Sequence, residues 1–160
     1  MLAIAAGAII AAVASAGGKP HARAGRPPVL TVLHAYVANY GDDTVTTVNL
    51  DNGLSGTAIT VGKKPDAIAI TPDRATAYVA NEGDGTITPI TLATGQPGTP
   101  IKVGKYPEAI VITPDGLTAY VANAGGGTVT PINLATGQLR STIYVGSGPA
   151  AIAITKSTRR

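Results

Sequence analysis

The chain has 160 residues, a length that suits one domain with a sizeable core. It contains no cysteine, which excludes disulfides, thiolate catalysis and cysteine-based metal sites. The formal charge of +3 comes from the two ends, because residues 25–155 contain more acidic than basic side chains. This central part offers no basic stripe for nucleic acid, and no Phe or Trp to stack on bases.

Residues 2–16 form an uncharged apolar run followed by small residues, which is typical of the hydrophobic part of an export signal. The run is shorter than the roughly 20 residues that span a bilayer as a helix. We predict a signal peptide over residues 1–24, cleaved after Ala16 or Ala24, although no Lys or Arg precedes the run. The alternative is an uncleaved anchor helix. Cleavage would leave a secreted or cell-surface protein with no membrane span.

Two prolines in residues 25–34 predict an extended linker, and residues 156–160 form a basic tail. Between them the pentapeptide AYVAN occurs three times, with its tyrosines 42 residues apart at Tyr36, Tyr78 and Tyr120. Glycine, threonine, leucine and proline recur at fixed offsets from each copy. A constant period of about 20 to 50 residues is the signature of a repeat architecture.

Each repeat predicts four short strands rich in Val, Ile, Thr and Tyr. The first strands are expected at 66–71, 108–113 and 150–155, and the second strands at 35–39, 77–81 and 119–123. The third strands are expected at 44–50, 86–92 and 128–134, and the fourth at 57–61, 99–103 and 141–145. A Pro-Asp turn separates the first and second strands, where the aspartate can bond to nearby backbone.

The first strands carry alanine on one face and isoleucine on the other, so both faces of the sheet must be covered. Radial stacking of four-stranded antiparallel blades satisfies this need, and it defines the all-β, β-propeller class. A parallel β-helix would need shorter coils, and a leucine-rich repeat would need a Leu/Asn spacing that is absent. The sequence therefore predicts about three β-propeller blades over residues 35–155.

The strand order is permuted, because the first repeat begins at its second strand and 150–155 supplies an additional first strand. Such a permutation closes propeller rings, yet three blades are fewer than the roughly 4 to 8 of known propellers. Two outcomes follow. A homodimer could form a six-bladed ring in which 150–155 of one copy completes the blade at 35–61 of the other. Otherwise the chain is an incomplete ring, a fragment of a longer propeller.

AYVAN, the following Gly and Thr-Val-Thr, then INLATG, Val-Gly, Pro and AIAIT resemble the YVTN family of β-propeller repeats. The resemblance covers residues 35–155. It implies a β-propeller that is secreted or displayed at the cell surface. Lys156 stands where the family pattern predicts proline, and alanine replaces threonine inside AYVAN.

In a propeller, the turns after the second and fourth strands share one rim, which would carry mixed charge and two tyrosines. Such a surface suits recognition of a protein, peptide or glycan ligand, although polar turns are also the ordinary surface of a fold. The predicted binding rim consists of Tyr40, Asp42, Asp43, Lys63, Lys64, Asp66, Glu82, Asp84, Lys105, Tyr106 and Glu108.

Asp66 and Glu108 begin equivalent strands and are weak candidates for metal ligands or an acid/base pair. This pair resembles the carboxylate metal sites of propeller lactonases, but the third copy is Ala150 and no histidine lies inside the repeats. The asparagines that end AYVAN precede glycine-containing turns, where they are expected to cap backbone. We therefore expect no catalytic residue, cofactor or nucleic-acid partner.

The predicted function is an exported, non-enzymatic binding or surface scaffold. One alternative is a lactonase-like or metal-dependent hydrolase of propeller type that oligomerisation completes. The other is a non-functional fragment of a longer propeller.

Overall fold

A computed structural model describes residues 31–155. The predicted signal peptide, most of the linker and the basic tail therefore lie outside the described residues. No helix within 31–155 is long and apolar enough to cross a membrane.

The described chain folds into three antiparallel β-sheets, one for each repeat. The first sheet consists of β1 (His34–Asn39), β2 (Thr44–Asn49) and β3 (Ile59–Thr60). The middle sheet consists of β4 (Pro65–Ile70), β5 (Thr76–Asn81), β6 (Thr86–Thr91), β7 (Gln96–Pro97) and β8 (Ile101–Lys102). The third sheet consists of β9 (Pro107–Ile112), β10 (Thr118–Asn123), β11 (Thr128–Asn133) and β12 (Ile143–Tyr144).

The middle and third sheets place their first three strands side by side in chain order, and a short strand pairs outside the third. The predicted bounds of the first, second and third strands of these two sheets are confirmed within one residue. The fourth strands are only two residues long. The outer edge is interrupted in the middle sheet, where β7 and β8 pair with opposite ends of β6. Between those ends stands Pro89, which has no N–H to donate to a neighbouring strand.

The turn between the first and second strands is held by its aspartate, as predicted. Asp73 accepts hydrogen bonds from the Thr71 hydroxyl and from the Ala75 N–H, the latter at 3.0 Å. Asp115 accepts the equivalent bonds in the third sheet, from Thr113 and the Leu117 N–H. The bond from Thr71 is the main reason that the pKa of Asp73 is lowered. These turns fix the register with which each first strand meets its second.

The core consists of two apolar layers between the three sheets. In the first layer Ile68 of the middle sheet packs with Ala38 and Val45 of the first sheet. In the second layer Ala67, the neighbour of Ile68 on the other face, packs with residues of the third sheet that include Ile110. The isoleucines of one blade thus lie against the alanines of the preceding blade. Each sheet needs a neighbour on both sides.

The predicted first strand at 150–155 is wrong for the described chain, because these residues form no strand. The first sheet correspondingly begins at β1, and no other described strand pairs with the inner edge of β1. The predicted permutation is therefore present in the sequence but is not closed within residues 31–155. A strand forms only where a second strand accepts its backbone hydrogen bonds.

We expect Ile90→Ala to lower the free energy of unfolding by about 2–5 kcal/mol, because Ile90 is fully buried in the first apolar layer. The exposed Leu54 supplies the control, and Leu54→Ala is expected to change that free energy by no more than about 0.5 kcal/mol. Urea unfolding followed by circular dichroism measures both. Equal losses for the two variants would contradict the layered core.

Candidate functional site

The predicted rim is built from two sets of turns that backbone hydrogen bonds join. In the middle blade the Glu82 N–H donates to the Lys64 carbonyl at 2.9 Å. In the third blade the Ala124 N–H donates to the Tyr106 carbonyl at 2.8 Å. The turn after each second strand is thereby tied to the turn before each first strand. Both sets of predicted residues lie at one edge of the blades.

Lys64 and Tyr106 stand at a backbone position that favours glycine. Their φ angles are 52° and 53°, in the left-handed region, and the equivalent residue of the third repeat is Gly148 with φ 63°. A residue with a Cβ costs about 1–2 kcal/mol in this conformation. Glycine would adopt this conformation without that steric cost. The lysine and the tyrosine are therefore not explained by stability alone.

Tyr40, Glu82 and Lys64 meet across the joint between the first and middle blades. The Tyr40 hydroxyl donates to a carboxylate oxygen of Glu82, and this bond is the main cause that raises the pKa of Tyr40. The Lys64 ammonium lies 5.6 Å from the centre of the Tyr40 ring, within the range of a cation–π contact. One phenol ring thus contacts one acidic and one basic side chain at the rim.

Carboxylates also order the lysine-bearing turn. Asp43 accepts a hydrogen bond from the Lys64 N–H at 2.8 Å, and Asp84 accepts one from the Lys63 N–H at 2.7 Å. The Lys102 ammonium donates to the Asp84 carbonyl oxygen at 2.7 Å. Both lysine side chains of the turn stay exposed while its backbone is held. These hydrogen bonds fix the backbone of the turn and leave the two lysine side chains in solvent.

The rim residues Tyr106, Lys105 and Asp42 lie outside this hydrogen-bonded group around Lys64. Tyr106 is 53% exposed, and its ring lies against Gly125 of the neighbouring turn. Lys105 and Asp42 are exposed turn residues. The structure therefore brings the tyrosines into two separate groups, one on each blade joint.

Asp66 and Glu108 occupy equivalent second positions of β4 and β9, as predicted. Partial burial is the main cause that raises the pKa of Asp66, and the charges of Glu108 and Glu82 raise it further. Within residues 31–155, no group of three or more His, Cys, Asp or Glu is arranged to hold a metal ion.

The asparagines that end AYVAN are structural, and threonine hydroxyls are partners of all three in addition to the predicted backbone groups, which Asn123 contacts. Each side-chain amide donates to two threonine hydroxyls of the following strand, as Asn81 does to Thr86 at 3.0 Å and to Thr88 at 2.9 Å. Asn123 makes the same bonds and also accepts one from the Gly104 N–H at 3.1 Å. Asn81 and Asn123 are fully buried.

Two clefts of the described residues lie away from the rim, and the sequence did not predict them. One, of about 640 Å³, separates the outer parts of the first and middle blades near Tyr36 and Leu92. The other, of about 500 Å³, lies beside β1 and is lined by Ile68, Ile70 and Ile110 among others. The second cleft borders the edge of β1 that no described strand covers, which the count of first strands could have indicated.

Solved structures with similar folds are β-propeller proteins. Hydrazine synthase of Kuenenia stuttgartiensis is 31% identical with a TM-score of 0.71, over 73% of this chain and 34% of that chain. AztD from Citrobacter koseri is 20% identical with a TM-score of 0.61, over 72% of this chain and 34% of that chain. A candidate 6-phosphogluconolactonase from Bacteroides uniformis is 18% identical with a TM-score of 0.64, over 76% and 41%.

These likenesses and the stacked sheets define the fold of this chain as three β-propeller blades in an incomplete ring. The chain spans about a third of the length of the first solved structures that it matches. No protein-family model matches the sequence. No curated protein matches it either.

We expect Asp66→Asn to raise the free energy of unfolding at neutral pH, and the gain to shrink as the pH falls. The folded state raises the pKa of Asp66 above its unfolded value, so ionisation of this carboxyl destabilises the fold. That cost is absent below the unfolded-state pKa and is complete above the folded-state pKa. Asparagine carries no charge at any pH and avoids it.

Urea unfolding of both proteins between neutral and acidic pH measures this difference, with Asp51→Asn in an exposed loop as the control. A stability difference between Asp66→Asn and the wild type that does not change with pH would contradict a raised pKa of Asp66.

Proposed function

We propose that this protein is an exported, non-enzymatic binding module of the YVTN type, which contacts a peptide or glycan ligand through its turn-bearing rim. The observation that carries the proposal is the pair Lys64 and Tyr106, whose side chains project from backbone that favours glycine. Loops on a rigid scaffold are where binding residues concentrate, and strain at such positions often accompanies function.

The chemistry of the rim suits a polar ligand with a flat or apolar portion. Tyrosine offers a ring face for stacking and a hydroxyl for hydrogen bonding, so it is common in recognition surfaces. Here Tyr40 is oriented by its bond to Glu82 and Tyr106 is half-exposed. Lys64 adds a cation beside the first ring. Blades supply the rigid frame, and the turns supply the contacts.

We expect Lys64→Gly to raise the free energy of unfolding by up to about 1 kcal/mol, because glycine relieves the left-handed backbone. The same change, combined with Tyr106→Gly and Tyr40→Phe, is expected to weaken ligand binding at least tenfold. An array of defined oligosaccharides and a library of synthetic peptides identify a ligand, and calorimetry measures its Kd. Arg74→Gly at the opposite edge relieves a similar backbone and should leave binding unchanged.

Binding that survives the triple variant, or no binding to either collection, would reject the rim proposal. The competing activity is lactone hydrolysis, which the name of the Bacteroides uniformis structure suggests. We expect no turnover of 6-phosphogluconolactone. Turnover that is lost in Asp66→Ala and Glu108→Ala would instead make this protein an enzyme.

Export is proposed from the apolar run at residues 2–16. Expression of the full coding sequence in a bacterial host should yield a processed protein outside the cytoplasm. Mass spectrometry of its N-terminus is expected to find Gly17 or Gly25 as the first residue. An intact N-terminus in the membrane fraction would favour the anchor helix.

A further inference from the structure

We propose that two copies of this chain close one six-bladed ring, in which residues 150–155 of each copy form the inner strand of the other copy's first blade. The proposal concerns assembly and does not depend on what the rim binds. Four features of the described residues support it: a strand with one unpaired edge, a segment of matching sequence, glycine positions with no neighbouring atom and two exposed apolar faces.

Within residues 31–155, the first blade lacks the inner strand that the other two blades possess. The second strands β5 and β10 are each paired on both sides, with the first strand of their blade and with the third. Among the described strands, β1 is paired only with β2. Its other edge is six residues long and leads into the cleft lined by Ile68 and Ile70. An open edge of this length is a template for strand addition.

Residues 150–155 have the sequence of the missing strand. They read AAIAIT; β4 with the residue after it contains DAIAIT, and β9 with the residue after it contains EAIVIT. In β4 the equivalent of Ile152 is Ile68, which is buried in the first apolar layer. In the described chain Ile152 is only half-buried, and its segment forms no strand.

The pairing register follows from the two complete blades. Ala67 lies opposite Ala80 and Ile68 opposite Val79, and the third blade repeats both pairs. Shifting these positions by whole repeats places Ala151 opposite Ala38 and Ile152 opposite Val37. A strand from residues 25–30 of the same chain fits less well, because it would put Arg26 and Pro28 where Ile68 and Ile70 stand.

A glycine and an asparagine fit together in each complete joint. A Cβ built on Gly62 would lie 2.6 Å from the amide nitrogen of Asn81, and one on Gly104 would lie 2.5 Å from Cγ of Asn123. The third pair in this series is Gly146 and Asn39. Gly146 has no described atom within 4 Å of its Cβ position. Asn39 of a second copy would occupy this empty space beside Gly146.

Gly41, on the first blade, also lacks a neighbour that its equivalent in the middle blade has. A Cβ on its equivalent Gly83 would lie 3.0 Å from Cβ of Lys63, in the turn before the inner strand. For Gly41 no described atom lies within 4 Å. The turn at 146–148 of a second copy supplies the missing neighbour when 150–155 pairs with β1.

The two end faces of the arc are apolar and match the interior joints. On the first blade Leu50 is 46% exposed, although the equivalent Leu92 packs in the first apolar layer. On the third blade Ile143 and Val145 are 46% and 53% exposed, although their equivalents Ile101 and Val103 pack in the second layer. Exposed apolar surface of this kind marks an interface.

The occupant is a second copy because each end of the arc is complementary to the other end. The third blade of one copy would meet the first blade of the second copy, and the reverse contact closes the ring around a twofold axis. Six blades lie within the range of about 4 to 8 that propellers use. Each copy supplies one inner strand and receives one.

The sharpest test is Gly146→Ala. Within one chain this change meets no described atom, and Gly146 has no positive φ, so the monomer fold should be unaffected. In the ring the new methyl group would collide with Asn39 of the second copy. Light scattering should find twice the mass of its own chain for the wild type, and at least a tenfold weaker dimer for the variant. The neighbouring Ser147→Ala is the control and should stay dimeric.

A second pair of variants tests the end face. Leu50→Asp should give a monomer, whereas Leu54→Asp should remain a dimer, because the equivalent of Leu54 in the middle blade is the exposed Gln96. Similarly, Ile152→Asp should dissociate the dimer, but Ala150→Asp should not, because the equivalent residue of β4 is Asp66. Circular dichroism of each variant confirms that the blades are folded.

Cross-linking distinguishes the two ways in which 150–155 could reach β1. The chain has no cysteine, so Ala38→Cys combined with Ala151→Cys introduces a single disulfide pair. Oxidation is expected to give a covalent dimer on a non-reducing gel. A disulfide within one chain, a monomeric wild type, or an assembly larger than two copies would each overturn the proposal.

Discussion

The fold depends on covering both faces of every sheet with another sheet. In β4 alanine and isoleucine alternate, so Ala67 belongs to one apolar layer and Ile68 to the other. A sheet of this composition cannot leave one face in water without exposing aliphatic side chains. The small residue of one blade makes room for the large residue of the next, which allows the sheets to stack closely. The alternation of alanine and isoleucine thus determines which face of each sheet packs against which neighbour.

The same constraint connects the core to the rim. The buried asparagines at the ends of β5 and β10 each bond to two threonines of the next strand, which fixes the start of the turn between the two strands. The turn before the inner strand is then tied to that turn through backbone hydrogen bonds. Lys64 and Tyr106 therefore project from rigid backbone. Binding contacts on such a frame lose little conformational entropy when a ligand binds.

Most of the fold could be predicted from the sequence, because period, alternation and turn residues all agree. The strands around AYVAN and the Pro-Asp turns lie where the pattern placed them. The strand at 150–155 could not be judged correctly, because sequence alone does not say whether a strand's partner is in the same chain. β7 was missed since Gln96 and Pro97 have low strand propensity, and pairing with β6 outweighs it.

The site was predicted less completely. Position in the repeat located the rim residues, but the contact between Tyr40 and Glu82 depends on the spacing of two blades, which no local pattern encodes. The left-handed backbone at Lys64 and Tyr106 had one signal, the glycine at position 148 of the third repeat. Only an alignment of the three repeats shows that Gly148 occupies the same position as Lys64 and Tyr106.

The outer edges of the middle and third blades are interrupted by proline. Pro89 breaks the ladder beyond β6, and Pro131 takes the equivalent place in β11. A peptide that binds by extending a sheet needs a run of free donors and acceptors, and these two blades do not provide one on their perimeter. The outer edges of the middle and third blades therefore offer no continuous template for fibril-like growth.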